Sequence, residues 1–572
     1  MSGRANESID APGRTHRIVA LIAAVSLLPV LAALWDTTVV QSPGGAVPAA
    51  VGIPLALVWA GGALAARRRR TLVRLDALGL LAGVVSRADD IVRAFRGHAP
   101  LSVDETILCR LAARALAAGR NPYAGTWTSD VATHHATLLM NGGVADRFGY
   151  PPLDVLLAAG VHLLLPAASE VAVVSWLALL ATAGWLYLRL PVPLRALTVL
   201  AVFSLGAMPM LARYGYPLAL ATFLLLVALD GWPAIGAGGR LGRRGTVAAI
   251  ALGLAAATQQ LTWFVIPFLL VLLWRVRAGD VQADAARGTV HGLMARFTSI
   301  AAATFAAVNL PFLAAGPGSW LRGVLGPLRQ HAFYSGPGLA NVDLHWLGGS
   351  GALDFYRYAG LAFLATGIAL AALWPAQLGL AVLVVPFAAF WLSMRSQLLY
   401  YEAFVPLGLL LVATPSADAL AAARPLPLPR RVRVALPALG VTAVVACLSI
   451  AAAWPAPIRS GRAVVALAGR TSRPVGIDVE LVNRSGDVLH PHFATDFGSK
   501  SSLYWRVLRG TPVLRPGERA SYELLPPAAQ THRLPPPRRL FVITDDPQTI
   551  SVIALPSAAA RSTRSPLHVG GT

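Results

Sequence analysis

Two adjacent carboxylates, Asp104 and Glu105, stand in a long polar break within a chain otherwise built of lipid-soluble runs. Charge close to a bilayer is costly unless it serves a site. A carboxylate there can take a proton from a hydroxyl when burial and neighbours tune it. The same residues admit a plainer role. Ser102-Val-Asp-Glu105 is a capping-box pattern, with Ser102 opening a helix and Glu105 closing back on it. Asp104 would then only favour the helix dipole. Glu105 is read first as that cap and second as a partner in catalysis. Around the pair lie Asn121-Pro122-Tyr123 and Tyr150-Pro151-Pro152, rigid turns because proline fixes its own φ and restricts its predecessor.

The elements that must hold these residues follow from composition. The chain has 572 residues, 56% hydrophobic and 13% charged, with many runs long enough to cross a bilayer. That is a polytopic α-helical membrane protein, with about twelve to fourteen crossings expected between 18 and 454. Its formal net charge of +21 does not indicate nucleic acid, because the arginines cluster at the ends of apolar runs and not along a polar, aromatic-laced surface. Such clusters mark cytoplasmic loops. The N-terminal tail 1–17, 67–74, 232–244, 275–296 and 423–433 are therefore expected inside, and 88–150, 315–355 and everything after 455 outside. The count strains in one place: an outside loop at 150 and an inside loop at 232 need an odd number of crossings, yet four apolar runs lie between. Either 151–166 or the broken 193–231 stretch is expected to be half-inserted. Lys500 is the only lysine, and Cys109 and Cys447 are too far apart and too apolar in setting to suggest a disulfide or a cysteine metal site.

On this topology Arg395 falls outside, in a short turn with Gln397, Tyr400, Tyr401 and Glu402. That runs against the usual bias, so Arg395 is a better phosphate ligand than any inner arginine. Gln260, polar within an apolar stretch, is expected to face a cavity. Residues 104–118 read as an amphipathic helix lying on the membrane surface, its Arg110 and Arg114 touching lipid headgroups or a bound phosphate. His134-His135 and Asp130 make a poor metal site, since adjacent histidines do not easily face one ion. After Trp454-Pro455, period-two runs such as Ile477-Asp-Val479-Glu-Leu481 predict a small, sandwich-like all-β domain over 455–556. A disordered tail, 557–572, is expected to follow.

An Asp followed by Gly119-Arg-Asn121-Pro122-Tyr123, with Tyr150-Pro-Pro-Leu153 opening the next apolar stretch, resembles the first extracytoplasmic loop of GT-C glycosyltransferases. The likeness is nearest to family 87, whose members use polyprenyl-phosphate sugars; it is sharp over 104–153 and weaker to about 414. The resemblance implies a plasma-membrane transferase of mannose or arabinofuranose. Its acceptor would be a cell-envelope glycan, glycolipid or glycoprotein, and the reaction would invert the anomeric centre without metal or other cofactor. It puts Asp104 in the position of the general base. It offers His331 and His345 of the later outer loop for the donor phosphate, and Tyr123 and Tyr150 as sugar contacts beside Arg395, Gln260 and Tyr401. Two rivals stand beside it. One is a lipid or glycan transporter, against which no paired broken helices are evident. The other is a non-catalytic assembly protein on the same scaffold.

Overall fold

The computed structural model describes residues 11–41, 46–66, 68–100, 103–132, 136–280, 287–334, 336–413, 420–421, 423–468, 473–497, 500–531 and 534–556. Ser102, His134, His135, Arg67, the first ten residues and the tail 557–572 lie outside them. The chain forms a polytopic helical bundle followed by two small β-sheets. Among the described residues eight helices are long and apolar enough to cross a membrane, or nine if the bent pair Leu197–Ser204 and Ala207–Tyr214 counts as one span. That count takes only helices of 18 residues or more and so omits shorter apolar ones. Leu153–Leu164, Pro217–Leu229 and Leu398–Ala413 are apolar but short, and Arg69–Val85 has only 17 residues.

Contacts between helix ends sort the bundle into two poles. At one pole His16 meets Asp76 at 2.7 Å, and Arg189 meets Asp230 at 2.8 Å. Arg244 also reaches Asp230, and Arg275 donates to the carbonyls of Arg424 and Pro425. The other pole gathers Asp104–Ala117, Pro317–Arg329, the start of Asp354–Leu373 and the β-sheets. The crossing count resolves here. Leu153 N–H donates to Ala257 O, and Ser169 N–H to Ala94 O, so both ends of the Leu153–Leu164 helix stay at the second pole. The Glu170–Arg189 helix then runs from Arg114 at that pole to Asp230 at the first. The bent pair returns, ending where Arg213 meets Asp90, and Pro217–Leu229 descends to Asp230. Three traverses remain, and the Leu153–Leu164 helix is the element that does not cross.

Strands β1 (Gly349–Ser350), β2 (Ile458–Ala468), β3 (Arg473–Asn483), β4 (His492–Phe497), β5 (Lys500–Ser501), β6 (Arg506–Arg509), β7 (Arg519–Leu525), β8 (Arg539–Thr544) and β9 (Thr549–Ala554) form the sheets. One has the order β2-β3-β7-β6, the other β1-β9-β8-β4-β5. Their facing residues, among them Ile477, Leu481, Phe493, Tyr522, Leu524 and Leu540, make one core, as alternation along each strand requires. The sheets are not merely appended. β1 comes from the loop between spans, with Gly349 opposite Ser551, and a second core joins Leu138, Met140, Phe333 and Tyr356 to Phe541, Ile543 and Ile550.

Candidate functional site

Asp104 is the first residue of its helix, preceded by an extended Val103 as N-cap (φ −131°, ψ 147°). Its Oδ1 accepts the Glu105 N–H at 2.9 Å and its Oδ2 accepts the Thr137 N–H at 2.8 Å. The side chain, 8% exposed, thereby ties the helix start to the 137–145 loop. Each carboxylate oxygen still has a second lone pair to offer. The helix itself is not a surface helix. Ile107, Leu108, Cys109, Ala112 and Ala113 are buried, and Arg114 and Arg110 reach the buried Glu170 at 2.8 and 3.8 Å. The expectation of a helix on the membrane surface, its arginines on headgroups, is corrected: the small face of Cys109, Ala112 and Ala113 lets it pack into the bundle, and Glu170 claims its cations.

Glu105 does not close a capping box among the described residues. Its Oε1 is buried without a hydrogen-bond partner. Burial pushes its carboxyl up to about 8, and the charge of Asp104 adds to this; the Tyr150 hydroxyl and Arg395 pull the other way. Val103 stands at the cap position, Ser102, on which the expected capping box rests, lies outside the described residues, and Glu105 lines a cavity.

That cavity, about 620 Å³, is lined by Asp104, Glu105, Tyr150, Gln259, Gln260 and Arg395, with Arg147, Arg322, Arg357 and His331 also around it. Arg395 Nε is buried and has no hydrogen-bond partner. Burial works against the Arg395 charge, but Tyr400, Asp104, Tyr150 and Glu105 outweigh it and hold the guanidinium above its ordinary value. The turn that carries it is fixed by Ser393, whose hydroxyl donates to Arg395 O at 2.6 Å. One wall is apolar, with Phe264, Phe390, Leu361 and Leu364. The cavity thus combines charged groups with an apolar wall.

The remaining sequence candidates divide. His331 lines the cavity but its Nδ1 meets Asp545 Oδ1 at 2.7 Å, so its ring is already engaged by the β8–β9 turn. Tyr123 is buried; its hydroxyl donates to Tyr150 O at 2.7 Å and its ring packs on Phe148 and Phe312, a scaffold role. Gln260 lines the cavity while its Nε2 donates to Gly149 O and Val324 O, both at 2.7 Å, stapling two loops. His345 is exposed, hydrogen-bonded to Arg539 and away from the cavity lining. Tyr401 turns to Ser396 and does not line it either.

Several lining residues were not singled out from the sequence, among them Arg147, Arg322, Arg357 and Gln548. The three arginines are exposed at the rim, and no ion pair engages them among the described residues. Arg357, an arginine at the second pole of a span, breaks the same charge rule that singled out Arg395. Gln548, 8% exposed, carries no local signal, because long-range contacts bring the β8–β9 turn to the cavity: the β1–β9 pairing, the Leu353 N–H donating to Gln548 O and the His331–Asp545 bond.

No protein-family model, no curated protein and no solved structure matches this chain.

Proposed function

We propose that the chain is a GT-C-like glycosyltransferase that moves a sugar, mannose or arabinofuranose, from a polyprenyl-phosphate donor to a cell-envelope glycan or glycolipid at the outer face of the plasma membrane. The observation that carries the proposal is Arg395: a half-buried guanidinium whose buried Nε has no hydrogen-bond partner, in a cavity that also holds Asp104 and Glu105 and has an apolar wall. A cation with a donor left open toward such a cavity fits a bound anion that completes it. The apolar wall with Leu361 suits the tail of a lipid donor. Gln259 Oε1, buried and without a partner, and the Gln548 amide face the same space and suit neutral sugar hydroxyls.

In this mechanism the acceptor hydroxyl attacks the anomeric carbon while its proton passes to Asp104. The bond from that carbon to the phosphate oxygen breaks, and polyprenyl phosphate departs as an anion against Arg395. One displacement inverts the centre. Glu105, with its raised carboxyl, stays neutral at the approach of that anion and adds no repulsion. The outer orientation rests on the arginines gathered at the opposite pole.

A scaffold reading has one observation in its favour: both Asp104 oxygens already hold backbone N–H groups. One experiment separates the two. Purified protein in nanodiscs is incubated with radiolabelled polyprenyl-phosphate mannose or arabinofuranose and a cell-envelope extract. Transfer by the native chain and its loss in Arg395→Gln support the transferase. No transfer from either donor, with the protein folded, overturns it.

A further inference from the structure

The loop that feeds β1 carries an apolar tip that the cavity does not use. Asp343–Leu347 forms a single wide helical turn whose first two residues are anchored, Asp343 at 0% and Leu344 at 2% exposure. Its far side is the reverse: Trp346 is 83% exposed, Leu347 50% and the preceding Val342 38%. Scattered exposed apolar residues are ordinary, but three on one short turn, topped by an indole, form a directed tip. The turn is also held stiffly. Gly348 and Gly349 take φ of +80° and +110°, and a Cβ on Gly349 would come within 2.0 Å of Ile550 O. Val552 N–H donates to Gly348 O at 2.9 Å, locking the tip to the β-sheet.

Position indicates what covers it. The tip lies a few residues before the span Asp354–Leu373, whose Tyr358, outside the cavity lining, is 49% exposed. Gly351 N–H donates to Trp454 O at 3.2 Å, and the Trp454 side chain, 60% exposed, closes the span Arg430–Ala453. Two exposed indoles therefore sit where two neighbouring spans emerge at the same pole. Tryptophans with an apolar body and a polar N–H concentrate at this level of a bilayer. Within the same turn His345 bonds to Arg539 of β8, which places a cation beside the tip at the height of lipid phosphates.

We propose that the Val342–Leu347 tip inserts into the lipid interface on the cavity side and seats the β-sheets on the membrane. The occupant is lipid, because the tip continues the outward surfaces of two adjoining spans. This does not depend on the transferase reading.

The test is a nitroxide attached at Trp346→Cys, in protein whose Cys109 and Cys447 are replaced by Ala, reconstituted in nanodiscs. Val507→Cys, on the exposed edge strand β6, gives the aqueous reference. Collision with dissolved oxygen should exceed collision with a water-soluble nickel chelate at 346, and the order should reverse at 507. A label at 346 as open to the chelate as at 507 would overturn the proposal. Exclusion of both reagents would overturn it too, since that is the signature of a protein covering the tip.

Discussion

Glu105 offers the most direct check on the geometry of the cavity, because its consequence can be measured without knowing any substrate. Its carboxyl moves from an ordinary 4.5 to about 8, chiefly through burial. The folded protein therefore holds a proton that the unfolded chain releases earlier. A raised carboxyl contributes its full stability below the unfolded value, and that contribution is lost as pH rises toward the folded one. Between about 4.5 and 8 the loss runs at about 1.4 kcal/mol per pH unit, on the order of 5 kcal/mol across the window. Glu105→Gln replaces the neutral acid with a neutral amide of similar shape and removes the titration. Thermal unfolding of both proteins in nanodiscs from pH 4.5 to 9 should give curves that coincide at the acid end and diverge above it, with the variant the more stable at pH 8 and beyond. Infrared difference spectra should show a protonated-carboxyl band near neutral pH in the native chain that is absent from the variant. Parallel unfolding curves across the whole range would refute the burial of the Glu105 carboxyl.

Other outcomes follow from the same contacts. Asp104→Asn keeps one carbonyl oxygen for two N–H donors, so it should lose about 1.5–3 kcal/mol in thermal unfolding, and a transfer assay should show turnover lower by about a hundredfold or more. A destabilised variant with normal turnover would leave Asp104 a purely structural residue. Cysteines placed at Thr128 and Ser501 should react with an impermeant maleimide from the same side of intact cells; reaction of only one would break the two-pole arrangement. The fragment 455–556, expressed alone, should self-associate in gel filtration, because Phe541, Ile543 and Ile550 lose the partners Leu138, Met140 and Phe333. Replacing Phe541 and Ile550 with Ser should reduce that association, and a monomeric native fragment would contradict the shared core.

How much of this was legible in the sequence depends on how local each signal was. Arg395 stood out because one arginine broke a charge rule, and it does line the cavity. The β-rich segment declared itself through strict alternation, as in Ile477-Asp-Val479-Glu-Leu481. Asp104 and Glu105 were visible as a pair, but their roles in the helix were not. Whether Glu105 turns back to a cap or out to a cavity is decided by Thr137 and Tyr150, which lie far along the chain. The Asp104–Ala117 helix was misjudged because two arginines on one face look the same whether they meet headgroups or a buried Glu170. Gln548 could not have been found, since contacts from residues about two hundred positions earlier, His331 and 349–353, hold its turn at the cavity.

That two-residue strand also orders the making of the protein. β1 emerges between spans long before β9, its only neighbour in the sheet, has been synthesised. Until β9 arrives, Gly349 and Ser350 have nothing to pair with, and the cavity lacks the wall that holds Gln548. A chain interrupted between Arg395 and β8 would carry Asp104, Glu105 and Arg395 but lack the β8–β9 turn with Gln548. The β-side wall of the cavity is therefore completed late in synthesis, when β9 pairs with a strand made about two hundred residues earlier.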